Sequence, residues 1–208
     1  MKANKADILY WKCNPDVEYI IYKNSLRSYP THTHAGHITL GYVLDGAVSV
    51  GCGSRKAVYH TGESFRVLPD TPHEIEPVCH KPYSMVTACI PVRKVPESSE
   101  EIHYTKRLKQ TIRKAPEDKL AIEDMARSIG INPYHLIRQF RTVCGLTPHQ
   151  FQIQCRVRKA QRLLENGKNV TEAAYDAGFC DQSHLDRCFR KVVGLTPNEY
   201  RQSVMISA

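Results

Sequence analysis

The sequence predicts a two-domain α+β chain: a small β-barrel or sandwich, then an all-α domain of two tandem helix-turn-helix units joined by a long helix. Three observations carry this. The C-terminal half repeats itself, the N-terminal half alternates short β-rich runs with turn residues, and a polar stretch with two prolines separates them. The expected boundaries are a β domain over 1–95, a linker and helix start over 96–105, and a helical domain over 106–208.

The repeat is read directly. Phe140-Arg141-Thr142-Val143-Cys144-Gly145-Leu146-Thr147-Pro148 is echoed by Phe189-Arg190-Lys191-Val192-Val193-Gly194-Leu195-Thr196-Pro197. Further back, Ile122-Glu123-Asp124-Met125-Ala126 matches Val170-Thr171-Glu172-Ala173-Ala174, and Gly130 matches Gly178. A helical solenoid also repeats, but it needs three or more units to bury its faces. Two copies with basic second helices favour a DNA-binding pair.

In the second copy, Gly178 supplies the freedom of a tight turn and Asp181 caps the next helix. Leu185, Phe189 and Val192 form its expected buried stripe. Gln182, Ser183, His184 and Arg187 then stand near its start, with Arg190 one turn on. Short hydrogen-bonding side chains and an Arg at a helix N-terminus suit the base edges of a major groove.

In the first copy, Ile122, Met125, Ala126 and Ile129 mark a helix that Gly130 ends. Asn132 caps the following helix, with Pro133 at its first position. Leu136 and Phe140 face inward; Tyr134, His135, Ile137, Arg138 and Arg141 are the outward candidates. Ala121 stands where the second copy has Asn169, so the first unit lacks a cap worth about 1 kcal/mol. Thr147-Pro148 opens a connector helix reaching about Asn166, with Gly167 as its left-handed cap. Arg156, Arg158, Lys159 and Arg162 line the connector as phosphate clamps or surface charges. An earlier helix is expected from Ser99 and Glu101–Ile102 to about Arg113.

The β-rich runs start at Tyr19. Ile38–Leu44 leads into Asp45-Gly46, a hairpin signal. Ala47–Val50, Val58-Tyr59, Ser64–Leu68, His73–Glu76 and Tyr83–Ile90 follow. His32 and His34 lie two apart, which on a strand puts both imidazoles on one face. His73 follows a Pro-rich turn that brings it round to them. His37 and Tyr42 complete the candidate effector-binding set, and Cys79 and His80 are further soft donors.

Composition is that of a globular protein, 41% hydrophobic and 24% charged, and the net charge of +8 points to a polyanionic partner. No apolar run reaches the roughly 20 residues of a membrane span, and the N-terminus lacks the apolar core of a signal peptide. A cytoplasmic protein with its eight cysteines as free thiols is expected.

The C-terminal half resembles the AraC/XylS family of transcription regulators. The resemblance is carried by Gly178, Phe179, Asp181, Gln182, Ser183, His184, Leu185, Arg187, Phe189 and Arg190, then Gly194, Thr196, Pro197, Tyr200 and Arg201. It implies that Tyr134, Ile137 and Arg138 enter one groove, and Gln182, Ser183, His184 and Arg187 the next. The segment His32–Gly46, with Gly62, Pro69 and His73, resembles the two signatures of the cupin barrel. Metal-binding cupins hold a divalent ion with three His and a Glu. Here Thr39 occupies the Glu position, leaving His32, His34 and His73 as either a Zn or Ni site or a degenerate pocket for an organic ligand.

The expected function is a promoter-reading regulator that is not an enzyme, its partners double-stranded DNA, RNA polymerase and a small-molecule effector. The alternatives are a metal-responsive regulator and a cupin-type metalloenzyme with an attached DNA-binding module. The short joint leaves dimerisation open.

Overall fold

The computed structural model describes residues 8–12, 17–34, 36–92 and 103–206. The helix opening at Ser99 and Glu101–Ile102, and the linker beyond Val92, lie outside them.

The strands are β1 (Ile8–Lys12), β2 (Glu18–Ser25), β3 (Tyr29–His32), β4 (His37–Asp45), β5 (Ala47–Cys52), β6 (Arg55–His60), β7 (Ser64–Val67), β8 (His73–Pro77) and β9 (Tyr83–Pro91). They form a five-stranded sheet in the order β1-β2-β9-β4-β7 and a four-stranded sheet in the order β3-β8-β5-β6. Every pairing is antiparallel. Val43, Val48, Phe65, Tyr83 and Met85 are buried in the core. Gly41 faces the Phe65 ring across the β4–β7 pair, and a Cβ there would occupy the ring's space.

The expected hairpin at Asp45-Gly46 is corrected. β4 pairs with β7 and β9, whereas β5 pairs with β6 and β8, so Gly46 at φ +78° passes the chain from one sheet to the other. A Cβ there would press on the Pro82 carbonyl. The two-residue hairpin is instead Gly53-Ser54, closed by Cys52 opposite Arg55.

The helices are α1 (His103–Lys114), α2 (Ile122–Ser128), α3 (Pro133–Cys144), α4 (Pro148–Glu165), α5 (Val170–Asp176), α6 (Gln182–Val193) and α7 (Pro197–Ile206). The pairs α2–α3 and α5–α6 are the two repeated units, with α4 between them. The 18 residues of α4 give it a length of about 27 Å. Leu136 and Phe140 in α3, and Leu185 and Phe189 in α6, are fully buried. In α6 the stripe continues through buried Val193, and Val192 is only half-buried. Counted from Phe189, Val193 lies four residues and about 40° round the helix, whereas Val192 lies three residues and about 60° round on the other side.

By contacts the chain divides into Met1–Lys94 with Phe189–Ala208, and Val95–Cys188. In the first unit, the Tyr200 hydroxyl donates to the Tyr10 hydroxyl at 2.9 Å, with the ring centroids 4.5 Å apart. Arg27 Nη1 donates to the Gly194 carbonyl. In the second unit, Gln152 and Arg156 on α4 donate to the carbonyls of Pro116 and Asp118, and Arg156 also reaches Glu117. Among the described residues, no helix is long and apolar enough to cross a membrane.

Candidate DNA-reading helices and histidine cluster

Each candidate reading helix starts where a side chain replaces the missing backbone acceptor. Asn132 Oδ1 accepts the Tyr134 amide at 2.8 Å at the head of α3, and Pro133 needs no acceptor there. Asp181 Oδ1 accepts the His184 amide at 2.7 Å at the head of α6. That bond, with lesser help from the Cys180 thiol and Arg187, holds the Asp181 carboxyl below the usual carboxylate range. The turns before these helices use Gly130 at φ +69° and Gly178 at φ +87°.

With the buried stripes turned inward, the polar faces are outward. Tyr134 is 82% exposed, and Arg138 and Arg141 are exposed too, while His135 and Ile137 are half-buried. On α6, Gln182, Ser183, Arg187 and Arg190 are exposed and His184 is half-buried. Neither Arg138 nor Arg187 is tucked into the interior.

Three of these side chains also make local contacts that spacing alone did not indicate. Gln182 Oε1 accepts the Thr171 hydroxyl at 3.2 Å, tying α5 to α6. His184 stacks edge-on against Phe179 at 5.2 Å, and its Nδ1 lies 3.2 Å from the Cys180 sulfur. Arg190 helps Arg27 and, before both, the Thr196 amide to lower the Glu199 carboxyl. The i, i+4 spacing of Cys180 and His184 was the available signal for their pairing.

On α4, Arg156 serves as a brace for the α1–α2 loop carbonyls, and Lys159 Nζ pairs with Glu117 Oε1 at 2.7 Å. Arg158 donates to Gln161 at 3.2 Å. Arg156 and Lys159, expected as phosphate clamps or surface charges, thus also have partners in the α1–α2 loop. The bare pattern of cations could not show it, because the carbonyl partners come from a loop 38–40 residues earlier.

In the β domain, β3 and β8 pair so that His32 stands directly opposite His73. His34 lies just past the end of β3, and not on the strand as expected. Its position is set by its carbonyl, which accepts the amides of His37 and Asp70, and by Asp70 Oδ1, which accepts the Gly36 amide at 3.1 Å. The three rings meet, with centroids 4.2 Å (His32–His73), 5.1 Å (His32–His34) and 5.2 Å (His34–His73) apart. One ligand atom from each lies within 4.8 Å of the others.

The protonation pattern follows from the hydrogen bonds. His32 Nδ1 is 2.9 Å from the Pro30 carbonyl and His73 Nδ1 is 3.0 Å from the Thr71 carbonyl, so each Nδ1 carries the hydrogen. The lone pairs then sit on Nε2, and His73 Nε2 is buried with no hydrogen-bond partner. Burial, and then the neighbouring His73, push His32 down to about 3; burial also lowers His73. Both are neutral donors held by backbone carbonyls, the usual arrangement around a metal-binding imidazole.

Thr39 is buried opposite Cys89, 3.2 Å from its sulfur, and brings no carboxylate to the cluster. His37 opens β4 outside the ligand-distance group, as do exposed Cys79 and His80 on the Val78–His80 turn. Tyr42 is corrected by strand parity. Thr39, Gly41 and Val43 point inward, so Tyr42 stands on the outer face of β4 with 44% of its surface exposed.

Residues 125–203 match the family described as a helix-turn-helix domain, and residues 21–89 match the cupin domain family. Over 89 residues the chain is 35% identical to the uncharacterised HTH-type transcriptional regulator YbfI of Bacillus subtilis, covering 43% of this chain and 31% of that protein. Over 67 residues it is 34% identical to the bifunctional transcriptional activator/DNA repair enzyme Ada of Escherichia coli, covering 32% of this chain and 19% of Ada. The chain thus spans under a third of these curated relatives. The crystal structure of ToxT from Vibrio cholerae superposes over 91% of this chain and 98% of ToxT, with a TM-score of 0.63 and 9% identity. At that identity the likeness is one of fold.

Proposed function

We propose that this chain, an AraC-type helix-turn-helix protein fronted by a cupin domain, is a sequence-specific transcription regulator whose β domain senses a ligand at the histidine cluster. The observation that carries the DNA reading is the duplicated, capped helix with an exposed Arg at matching places, Arg138 in α3 and Arg187 in α6. A rod of about 27 Å between the units suits successive major grooves, about 34 Å apart on one DNA face, with a modest bend absorbing the difference. Bound promoter DNA would bring RNA polymerase within reach as a second partner. The relatives matched are regulators, and Ada matches only in its helix-turn-helix portion, so its repair chemistry is not carried over.

Selection of binding sites from a random DNA pool tests this. A two-part motif with its halves about one helical turn apart is the expected outcome. Enrichment of no sequence at any salt concentration would remove the proposal.

The cluster favours one kind of ligand. The neutral rings of His32 and His73 lie 4.2 Å apart, and the buried His73 Nε2 has no proton donor to satisfy it. A fatty acid of the kind bound in a ToxT structure presents an anionic carboxylate, which repels such lone pairs unless the imidazoles protonate. Burial opposes that. A divalent metal of the Zn or Ni type satisfies them directly and would act as a Lewis acid held by His32, His34 and His73. The sensing is therefore read as metal-dependent. Elemental analysis of protein purified without chelator should find near-stoichiometric metal, absent from a His34→Ala/His73→Ala variant; metal-free wild type that responds to an organic ligand would reverse the assignment.

A further inference from the structure

The head of α6 holds a nucleophile beside a base. Cys180 is exposed in the turn between α5 and α6, two residues ahead of Gln182. Its sulfur lies 3.2 Å from His184 Nδ1 and 3.7 Å from Asp181 Oδ2. The imidazole is held in place, its ring edge-on to buried Phe179 at 5.2 Å and its amide bound by Asp181 Oδ1. A nucleophile within hydrogen-bond reach of a base that further groups orient is the arrangement of an activated thiol. Other thiols of the chain are placed differently. Cys89, Cys144 and Cys155 are buried, and burial pushes the Cys52 thiol up. Cys79 is exposed like Cys180, but among the described residues it has no hydrogen bond to an imidazole.

We propose that Cys180 is a modification site, capped by small disulfides in a His184-assisted exchange, and that the cap closes α6 to DNA. His184 Nδ1 accepts the thiol proton as Sγ attacks one sulfur of the disulfide. The S–S bond of the reagent breaks, a new one forms to Cys180, and the departing thiolate takes the proton from the imidazolium. Cys180 is thereby oxidised, and the released thiol is the reduced half of the reagent. With the Asp181 carboxylate on its other side, the sulfur gains from passing its proton to His184 during the attack.

The consequence for DNA rests on the reading of α6 given above. Residues at the N-terminal end of a reading helix are the ones that approach base edges. Exposed Gln182 and Ser183 follow Cys180 after a single residue, so a cap on the sulfur occupies the space in front of them. It also replaces the thiol that His184 Nδ1 meets in the free protein. The half-site read by α6 should suffer, and that read by α3 should not. A disulfide cap is removed by any thiol in excess, so the closure is reversible.

Peptide mass mapping of the full chain during exposure to hydroxyethyl disulfide tests the site. Cys180 should be capped about tenfold faster than Cys79 or more, and His184→Asn should bring the two rates together. The wild-type comparison stands even where that variant folds poorly, and capping of buried Cys144 would reveal such unfolding. In a parallel binding assay the capped chain should lose about tenfold or more in affinity for its selected DNA, with preference lost at one half of the motif only. A thiol reductant should restore both. Cys180→Ser should bind that DNA as the untreated chain does and ignore the disulfide. Cys180 reacting no faster than Cys79 overturns the proposal, as does capping that leaves affinity unchanged, or an equal loss in Cys180→Ser. The capping rates need no DNA, so a chain that selects no motif would lose its promoter reading while the rates still decide the fate of this thiol.

Discussion

The two helix-turn-helix units share one sequence pattern but are not built equally firmly. In the first, α2 starts at Ala121 with no side-chain cap, and Gly130 turns into open space. In the second, Asn169 and Glu172 form a reciprocal capping box at α5, and Gly178 turns against the backbone of Glu117. The second unit also has Thr171 bonded to Gln182 across its two helices. Duplication kept the shape of the motif, while the neighbours of each copy set its rigidity.

The largest effect that separates the copies should come from the turn glycines. Both have positive φ, so an alanine costs about 1–2 kcal/mol at either. At Gly178 the new Cβ would also lie 2.6 Å from Glu117 Cα, and overpacking adds about 1–3 kcal/mol. Chemical denaturation should therefore rank Gly178→Ala well below Gly130→Ala in stability. Equal losses would mean that the Glu117 contact is unimportant.

The helix starts should give a smaller, two-sided result. Asn169→Ala is expected to lose about 1 kcal/mol, and Ala121→Asn to gain up to about that much by supplying the absent cap. If the second substitution does not stabilise, the deficit of the first unit is not a capping deficit.

The smallest effect is a difference in acid. α3 and α4 are capped by neutral groups, Asn132 and the Thr147–Gln150 pair, whereas α6 and α7 use the carboxylates Asp181 and Glu199. Accepting the His184 and Thr196 amides lowers both carboxyls below their usual range. Groups with a lowered folded pKa contribute stability above the unfolded pKa and lose it as pH falls through the folded one. Amide exchange at His184 and Thr196 should thus speed up below the ordinary carboxylate range before that at Tyr134 and Thr147. Simultaneous loss of protection would place the acid weakness elsewhere.

Much of this was legible in the sequence because it is local. Caps, left-handed glycines and buried stripes depend on residues within one turn, so Asn132, Gly167 and Phe189 could be read in place. The histidine cluster was legible for another reason: two close histidines and a turn-delivered third need only one strand pairing, His32 opposite His73. What failed was non-local. β1 has no flanking pattern to mark it, and it exists because β2 pairs with it. Asp45-Gly46 has the composition of a hairpin, but which sheet accepts the next strand is settled far away in sequence. Tyr42 belongs to the expected effector-binding set, but the face it stands on turns on the exact register of β4. The loop partners of Arg156 and Lys159 come from far back in the chain and left no local mark.

The central claim is that α3 and α6 each read DNA with one exposed Arg. Site selection repeated with Arg138→Ala and with Arg187→Ala tests it most directly, scoring preference at each half of the bound motif. Each variant should lose about 1–3 kcal/mol of discrimination at one half only, and the two should lose different halves. Preference left intact in both variants, or lost uniformly along the whole site, would contradict base reading by these helices.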